Sequence, residues 1–287
     1  MSEPGVAPPP AWRRVDPRAA TELIDARLQL HHAAQLVAAI GISYLPPRPD
    51  DSHTNLEWIP AIDALASRPV QGTSSPMRLA IRPNLFSLLI LDASGTPTAT
   101  FRLNGRTRSG ATRWVRAQLA ERGLDPAAYT LDKPYTIPHH AVADAAPFNS
   151  TNVSRFDELS GWYSDASIAL EKVAASMPHA SEVRCWPHHF DIATLIELAP
   201  GKTIGVGMEP GDQYYREPYF YVNAYPQPGA DLPRPRLGGE GIWHTHEWLG
   251  AVLPASRVVA STSGQQSQVD EFIGSAVHAC MSLLLKK

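Results

Sequence analysis

VRCWPHHFDIATLIEL, residues 183–198, is the stretch on which the reading of this chain turns. Taken as one β-strand, its side chains alternate between two faces. Trp186, His188, Phe190, Ile192, Thr194 and Ile196 then share one face, and Cys185, His189, Asp191 and Ala193 share the other. The first face reads as core. The second sets His189 beside Asp191, about 7 Å apart along such a strand, where an ordinary core would carry leucine and valine.

Similar short apolar runs broken by turn residues lie on both sides of it. TIGVGM, YFYVNAY and GAVLP follow, and LEWIPAIDAL, MRLAIRP, LFSLLILDASG and TATFRLNG precede it. All read as strands, with DASG at 92–95 as a hairpin turn. Four helices frame them. The first is predicted to start at Asp16-Pro17, with Leu23, Leu30 and Val37 on one stripe, and must stop before Pro46-Pro47. The second runs from Ser109 to Arg122 and ends at Gly123. The third begins at Ser154 with Asp157 three residues on, and the fourth runs from near Ser267 to Leu285. Strands clustered between helices, not alternating with them, predict an α+β fold of mainly antiparallel sheets with packed helices. Each group of strands opens on a tryptophan, Trp58 and Trp186, which suggests two similar halves, 16–150 and 151–287, within one domain over 16–287. Residues 1–15 read as a disordered, Pro-rich tail.

The bulk composition narrows the classes. Of the 287 residues, 44% are hydrophobic and 18% charged, ordinary for a soluble globular protein. A formal net charge of -3 gives no basic footprint, and the arginines of Arg102–Arg116 read as a solvated face, so nucleic acid is not an expected partner. Cys185 and Cys280 are too few for a disulfide framework. No basic leader precedes an apolar core, and no apolar run approaches about 18 residues. The expectation is a cytoplasmic protein without a membrane partner.

Chemistry is expected where unusual residues converge. His-x-Asp on one strand face is half of the two-histidine, one-carboxylate set that binds a divalent metal and leaves coordination positions open. IWHTHEWLG, 242–250, offers a third ligand in His244 or His246, with Glu247 adjacent. His189 and Asp191 with either His244 or His246 would then hold iron or zinc. The further step to Arg257 resembles the layout of iron- and 2-oxoglutarate-dependent oxygenases, in which the arginine would hold a co-substrate carboxylate. In EPYFYVNAYP, 217–226, Tyr219, Tyr221, Asn223 and Tyr225 share a strand face with apolar bodies and polar tips, suited to the wall of a small-molecule pocket. MEPGDQYYREP, 208–218, is a polar loop able to fold over it. His188 and His246 join the candidate binding residues, while His31 and Gln35 lie one helical turn apart on the flank of the first helix. No Gly-rich phosphate loop, G-x-S-x-G elbow or H-E-x-x-H is present. Three readings stay open for the histidine cluster: a metal-dependent enzyme, oxygenase-like or hydrolytic; metal-free acid–base catalysis or simple small-molecule binding; and hydrogen-bonded architecture with no site.

Leu30-His31, Gln35-Leu36-Val37, CWPHHFDIA, EPYFYVNAYP and WHTHEWLGAVLP together resemble a bacterial family described as domain of unknown function 5996, most closely over 183–255 and more loosely over 28–150. The resemblance implies a bacterial, cytoplasmic protein and carries no activity with it. His188, His189, Asp191 and His244 match the pattern. Where the family continues Trp-His-Thr with Glu-Gly-Trp, this chain has His246-Glu247-Trp248. That departure favours His244 over His246 as the third ligand and leaves Glu247 without an assigned role.

Overall fold

Helix α1, Ile24–Tyr44, is buried almost all round, with Leu30, Ala33, Ala34, Leu36, Val37 and Ile40 fully enclosed. A helix with apolar or small residues on every side belongs in an interior, and α1 lies at the centre of this computed structural model, which describes residues 11–16, 22–72, 75–229, 232–258 and 264–285. Gly41 lets it approach the backbone of His53 and Thr54, where a Cβ would collide with the His53 carbonyl.

The strands form two six-stranded antiparallel sheets. The first contains β1 Glu57–Ile59, β2 Ala64–Ala66, β3 Val70–Gln71, β4 Pro76–Arg82, β5 Ser87–Leu91 and β6 Pro97–Arg102, in the order β1-β2-β4-β5-β6 with β3 also on β4. Helix α2, Arg108–Glu121, follows it. Helix α3, Val153–Ser176, opens the second half. Its sheet contains β7 Arg184–Cys185, β8 Ile192–Ala199, β9 Lys202–Glu209, β10 Tyr219–Tyr225, β11 Ile242–His244 and β12 Gly250–Pro254, in the order β11-β12-β10-β9-β8-β7. The single-turn α4, Ala255–Val258, and α5, Gln265–Leu285, close the chain.

The α+β class is therefore as expected: helix, antiparallel sheet, helix, repeated once. Leu56 and Cys185 exchange both backbone hydrogen bonds, at 2.9 and 2.8 Å, and so join the edges of the two sheets. One continuous apolar cluster includes Leu65, Leu79, Ile81, Leu88 and Ile90 from the first sheet and Ile192, Ile196, Val206, Phe220 and Val222 from the second. The hairpin at 92–95 is present, with Asp92 N donating to the Thr96 carbonyl and Gly95 at φ +82°. Among the described residues no helix is long and apolar enough to cross a membrane.

Three expectations need correction. Residues 11–15 are not tail: Val15 is core, and Arg13 N donates to Asp165 Oδ1 at 2.7 Å while its guanidinium meets Asp63. The first ten residues lie outside the described ones, as does the Pro17 helix start; the helix seen begins at Ile24 after Leu23, with no side-chain cap. The third correction is the decisive one. Residues 183–198 are two strands, β7 and β8, reversed through a tight turn. Trp186 N donates to the Asp191 carbonyl at 2.8 Å, and Phe190 N to the Trp186 carbonyl at 2.6 Å, with Phe190 at φ +76°. Pro187 supplies the reason: it has no N–H to give a ladder and its ring fixes φ. Trp186 and His188 consequently lie half-buried on the turn, not in the core.

Candidate functional site

The turn delivers its side chains to a cavity of about 870 Å³. The walls come from the flank of α1 (Arg27, Leu28, His31), the 186–191 turn, the end of β9 with the loop after it, and β10. The register builds the floor. Ile192 pairs with Met208, so Asp191 lies one step beyond that pair, beside Glu209, and Glu209 pairs in turn with Tyr219. Three side chains with oxygen tips thus form a row across three strands. Tyr221 pairs with Gly207, and its ring lies flat over that glycine, where a Cβ would sit 2.6 Å from the phenol carbon and oxygen. Asn223 lies over Gly205 in the same way. The two glycines of TIGVGM therefore make room for the wall that the tyrosine face was expected to form.

Burial sets the electrostatics. Asp191 Oδ2 accepts from Tyr221 OH at 2.5 Å, while Oδ1 is buried without a hydrogen-bond partner. Burial pushes the Asp191 carboxyl above its ordinary range, opposed by the Tyr221 bond and the nearby His189. Glu209 is pushed well up, first by burial, then by the charges of Asp191 and Asp212, with Arg27 opposing. Two neighbouring buried acids do not both ionise readily, so each favours the neutral form of the other. Arg27 is itself lowered by burial, its Nη1 has no hydrogen-bond partner, and Gly211 presses against it.

His31 is pushed down to about 3 by burial, so it is neutral. Its Nε2 lies 2.8 Å from the Pro187 carbonyl, which can only accept; Nε2 therefore carries the proton and Nδ1 is a bare acceptor. Gln35 Nε2 donates to the same carbonyl at 2.8 Å and receives Tyr135 OH at 2.9 Å on its Oε1. The His31 ring stacks on Phe190 at 4.7 Å. These contacts hold the turn that presents His188, His189 and Asp191.

Residues 210–214 of the loop after β9 line the cavity. Asp212 anchors this loop, accepting from Tyr214 N and Tyr215 N at 2.7 and 2.8 Å and from Tyr219 OH at 2.8 Å. Tyr214 OH donates to Glu247 at 2.8 Å, which gives the sequence's unassigned glutamate a structural partner.

The structure gathers some predicted site residues and separates others. His188, His189, Asp191, Tyr219 and Tyr221 line the cavity. His244 does not join them. Its Nδ1 lies 3.1 Å from Tyr215 OH, its Nε2 lies 2.6 Å from the His246 carbonyl, and its ring stacks at 4.4 Å on Trp248, which does line the cavity. His244 thus stands behind the wall with both nitrogens engaged. Among the described residues no three His, Cys, Asp or Glu side chains are grouped to hold a metal ion. His246 is exposed, Tyr225 is 66% exposed beyond the cavity, and Arg257 donates to the Glu240 carbonyl at 3.0 Å, outside it. Cys185 is enclosed and its thiol is pushed well up by burial, which leaves it an inert core residue.

Sequence reasoning missed Glu209 and Arg27. The signal for Glu209 was an acid ending a G-x-G strand; Arg27 stands one turn before His31 on the same helix flank. No family model matches this chain, and no curated protein or solved structure matches it either.

Proposed function

We propose that the cavity binds a small polar organic molecule and acts on it by general acid–base catalysis, with Asp191 and Glu209 as the proton-handling pair. The observation that carries this reading is their adjacency on the floor: two enclosed carboxyls, cross-strand neighbours, both raised by burial, with only Asp191 receiving a protein hydrogen bond among the described residues. Such a pair holds one acid able to donate and one carboxylate able to accept, which is the complement that proton transfer needs. Tyr221, its phenol raised by burial, stays protonated and fixes the Asp191 carboxyl. His31 offers a bare Nδ1 acceptor on the opposite wall.

A thermal-shift screen of small polar metabolites tests binding, followed by NMR detection of solvent deuterium entering any ligand found. Ligands that stabilise the wild type and lose that effect in Asp191→Asn, while Arg257→Ala retains it, support the site. Deuterium incorporation that depends on Glu209 supports catalysis. Hits indifferent to Asp191→Asn would place binding elsewhere and end this reading.

A second reading, a metal-dependent enzyme, is favoured by one observation: Asp191 Oδ1 is buried and unpartnered. A divalent ion at that oxygen would have to recruit His189 or Glu209 in place of His244. Near-stoichiometric iron or zinc in protein purified without chelator, lost in Asp191→Asn, would favour it over the first.

A further inference from the structure

The cavity does not end at His188 and His189. A second hollow of about 630 Å³, lined by Lys133, Pro134, Tyr135, Thr136, His188 and His189, shares Thr136 and both histidines with the first. The two spaces are therefore neighbours, with the histidines between them. The outer hollow carries a cation, Lys133, where the floor carries carboxyls. Lys133 Nζ lies 5.8 Å over the Tyr135 ring and forms no ion pair among the described residues. His188 and His189 contact each other at 4.5 Å, and His188 also meets the rings of Tyr135 and Trp186. Neither imidazole hydrogen-bonds to a protein group among the described residues. An ammonium and two imidazoles line one hollow with no hydrogen bond or ion pair to protein among the described residues, and all three can donate to an anion.

We infer that the ligand is a phosphomonoester, its phosphate seated among Lys133, His188 and His189 and its other end carrying an amine or hydroxyl that reaches Asp191 and Glu209. A phosphate suits the three donors better than a carboxylate does, because it presents three terminal oxygens. The inference rests on the acid–base reading for the floor end of the ligand and on the unpaired basic groups for the outer end.

Calorimetric titration with O-phosphoethanolamine, inorganic phosphate and ethanolamine tests both ends. The expected result is binding of O-phosphoethanolamine at least about tenfold tighter than of inorganic phosphate, which corresponds to about 1.4 kcal/mol from the second contact. Lys133→Gln and His189→Gln, both on accessible side chains, weaken the two phosphate probes by about tenfold or more with an unchanged melting temperature. Glu209→Gln weakens O-phosphoethanolamine alone. Absence of binding by either phosphate probe, or binding that survives Lys133→Gln combined with His189→Gln, overturns the inference; screening hits that still need Asp191 would then leave the acid–base reading standing. Phosphate binding that needs Lys133, with O-phosphoethanolamine indifferent to Glu209→Gln, would keep the phosphate subsite and remove the carboxyl floor from the ligand.

Discussion

The two sheets each turn one face to the main core and one away from it, and the second faces differ sharply. On the first sheet that face carries Ala64, Ala66, Ala80, Leu89 and Leu91, roofed by Ile59 and Ile62. On the second it carries Asp191, Glu209, Tyr219 and Tyr221 over Gly205 and Gly207. The apolar face closes on itself and gains from every methyl removed from water. The polar face encloses two acids whose ionised forms burial disfavours, so it costs stability where its counterpart adds to it. A protein retains such groups where they do something other than hold the fold. The outer face of the first sheet is closed by apolar packing, whereas that of the second lines the cavity.

The contrast can be broken at both ends. Leu91→Ala, in the closed face, should lower unfolding free energy by about 2–4 kcal/mol, the usual cost of a cavity at a fully buried leucine. Urea denaturation measures it, and the loss should be the same at pH 5 and pH 8, because no titrating group belongs to that cluster. Gly207→Val in the open face drives a side chain into the Tyr221 ring. It should cost about 1–3 kcal/mol by overpacking and abolish ligand-induced thermal shifts, while Leu91→Ala keeps them.

The smallest effect separates the faces by pH. Glu209 has a folded-state pKa raised above its unfolded value of 4.5, so its contribution is fully present below that value and is lost as pH rises through the folded pKa. Wild-type protein should therefore lose stability relative to Glu209→Gln as pH rises above about 4.5 and through the folded-state pKa, leaving the variant ahead on the alkaline side. Parallel curves would mean that Glu209 ionises in the folded protein without penalty, and the two faces would then be less different than their residues suggest.

Much of this was legible in the sequence. The helix ends at Gly123 and before Pro178, the hairpin at DASG and the alternation of YFYVNAY all express local rules of period, capping and turn chemistry, and local rules survive folding. The turn at 186–190 was not read, because Trp186, His188 and Phe190 alternate with Cys185, His189 and Asp191 as a strand would; Pro187 was the contrary signal. His189 and Asp191 reached one site even so, through the turn that replaced the strand. Glu209 depended on a cross-strand register that no local pattern encodes, and His244 was separated from Asp191 by the same non-local geometry.

The Leu56–Cys185 bridge has a consequence for self-association. A sheet edge offers unpaired amide and carbonyl groups to any other extended chain. By pairing β1's entry with β7, the two sheets cover one edge of each. The opposite ends are β6, which starts at Pro97 and carries exposed residues along its length, and β11, only three residues long. Neither offers a long, flat, apolar template, so the twelve strands among the described residues give little invitation to edge-to-edge aggregation.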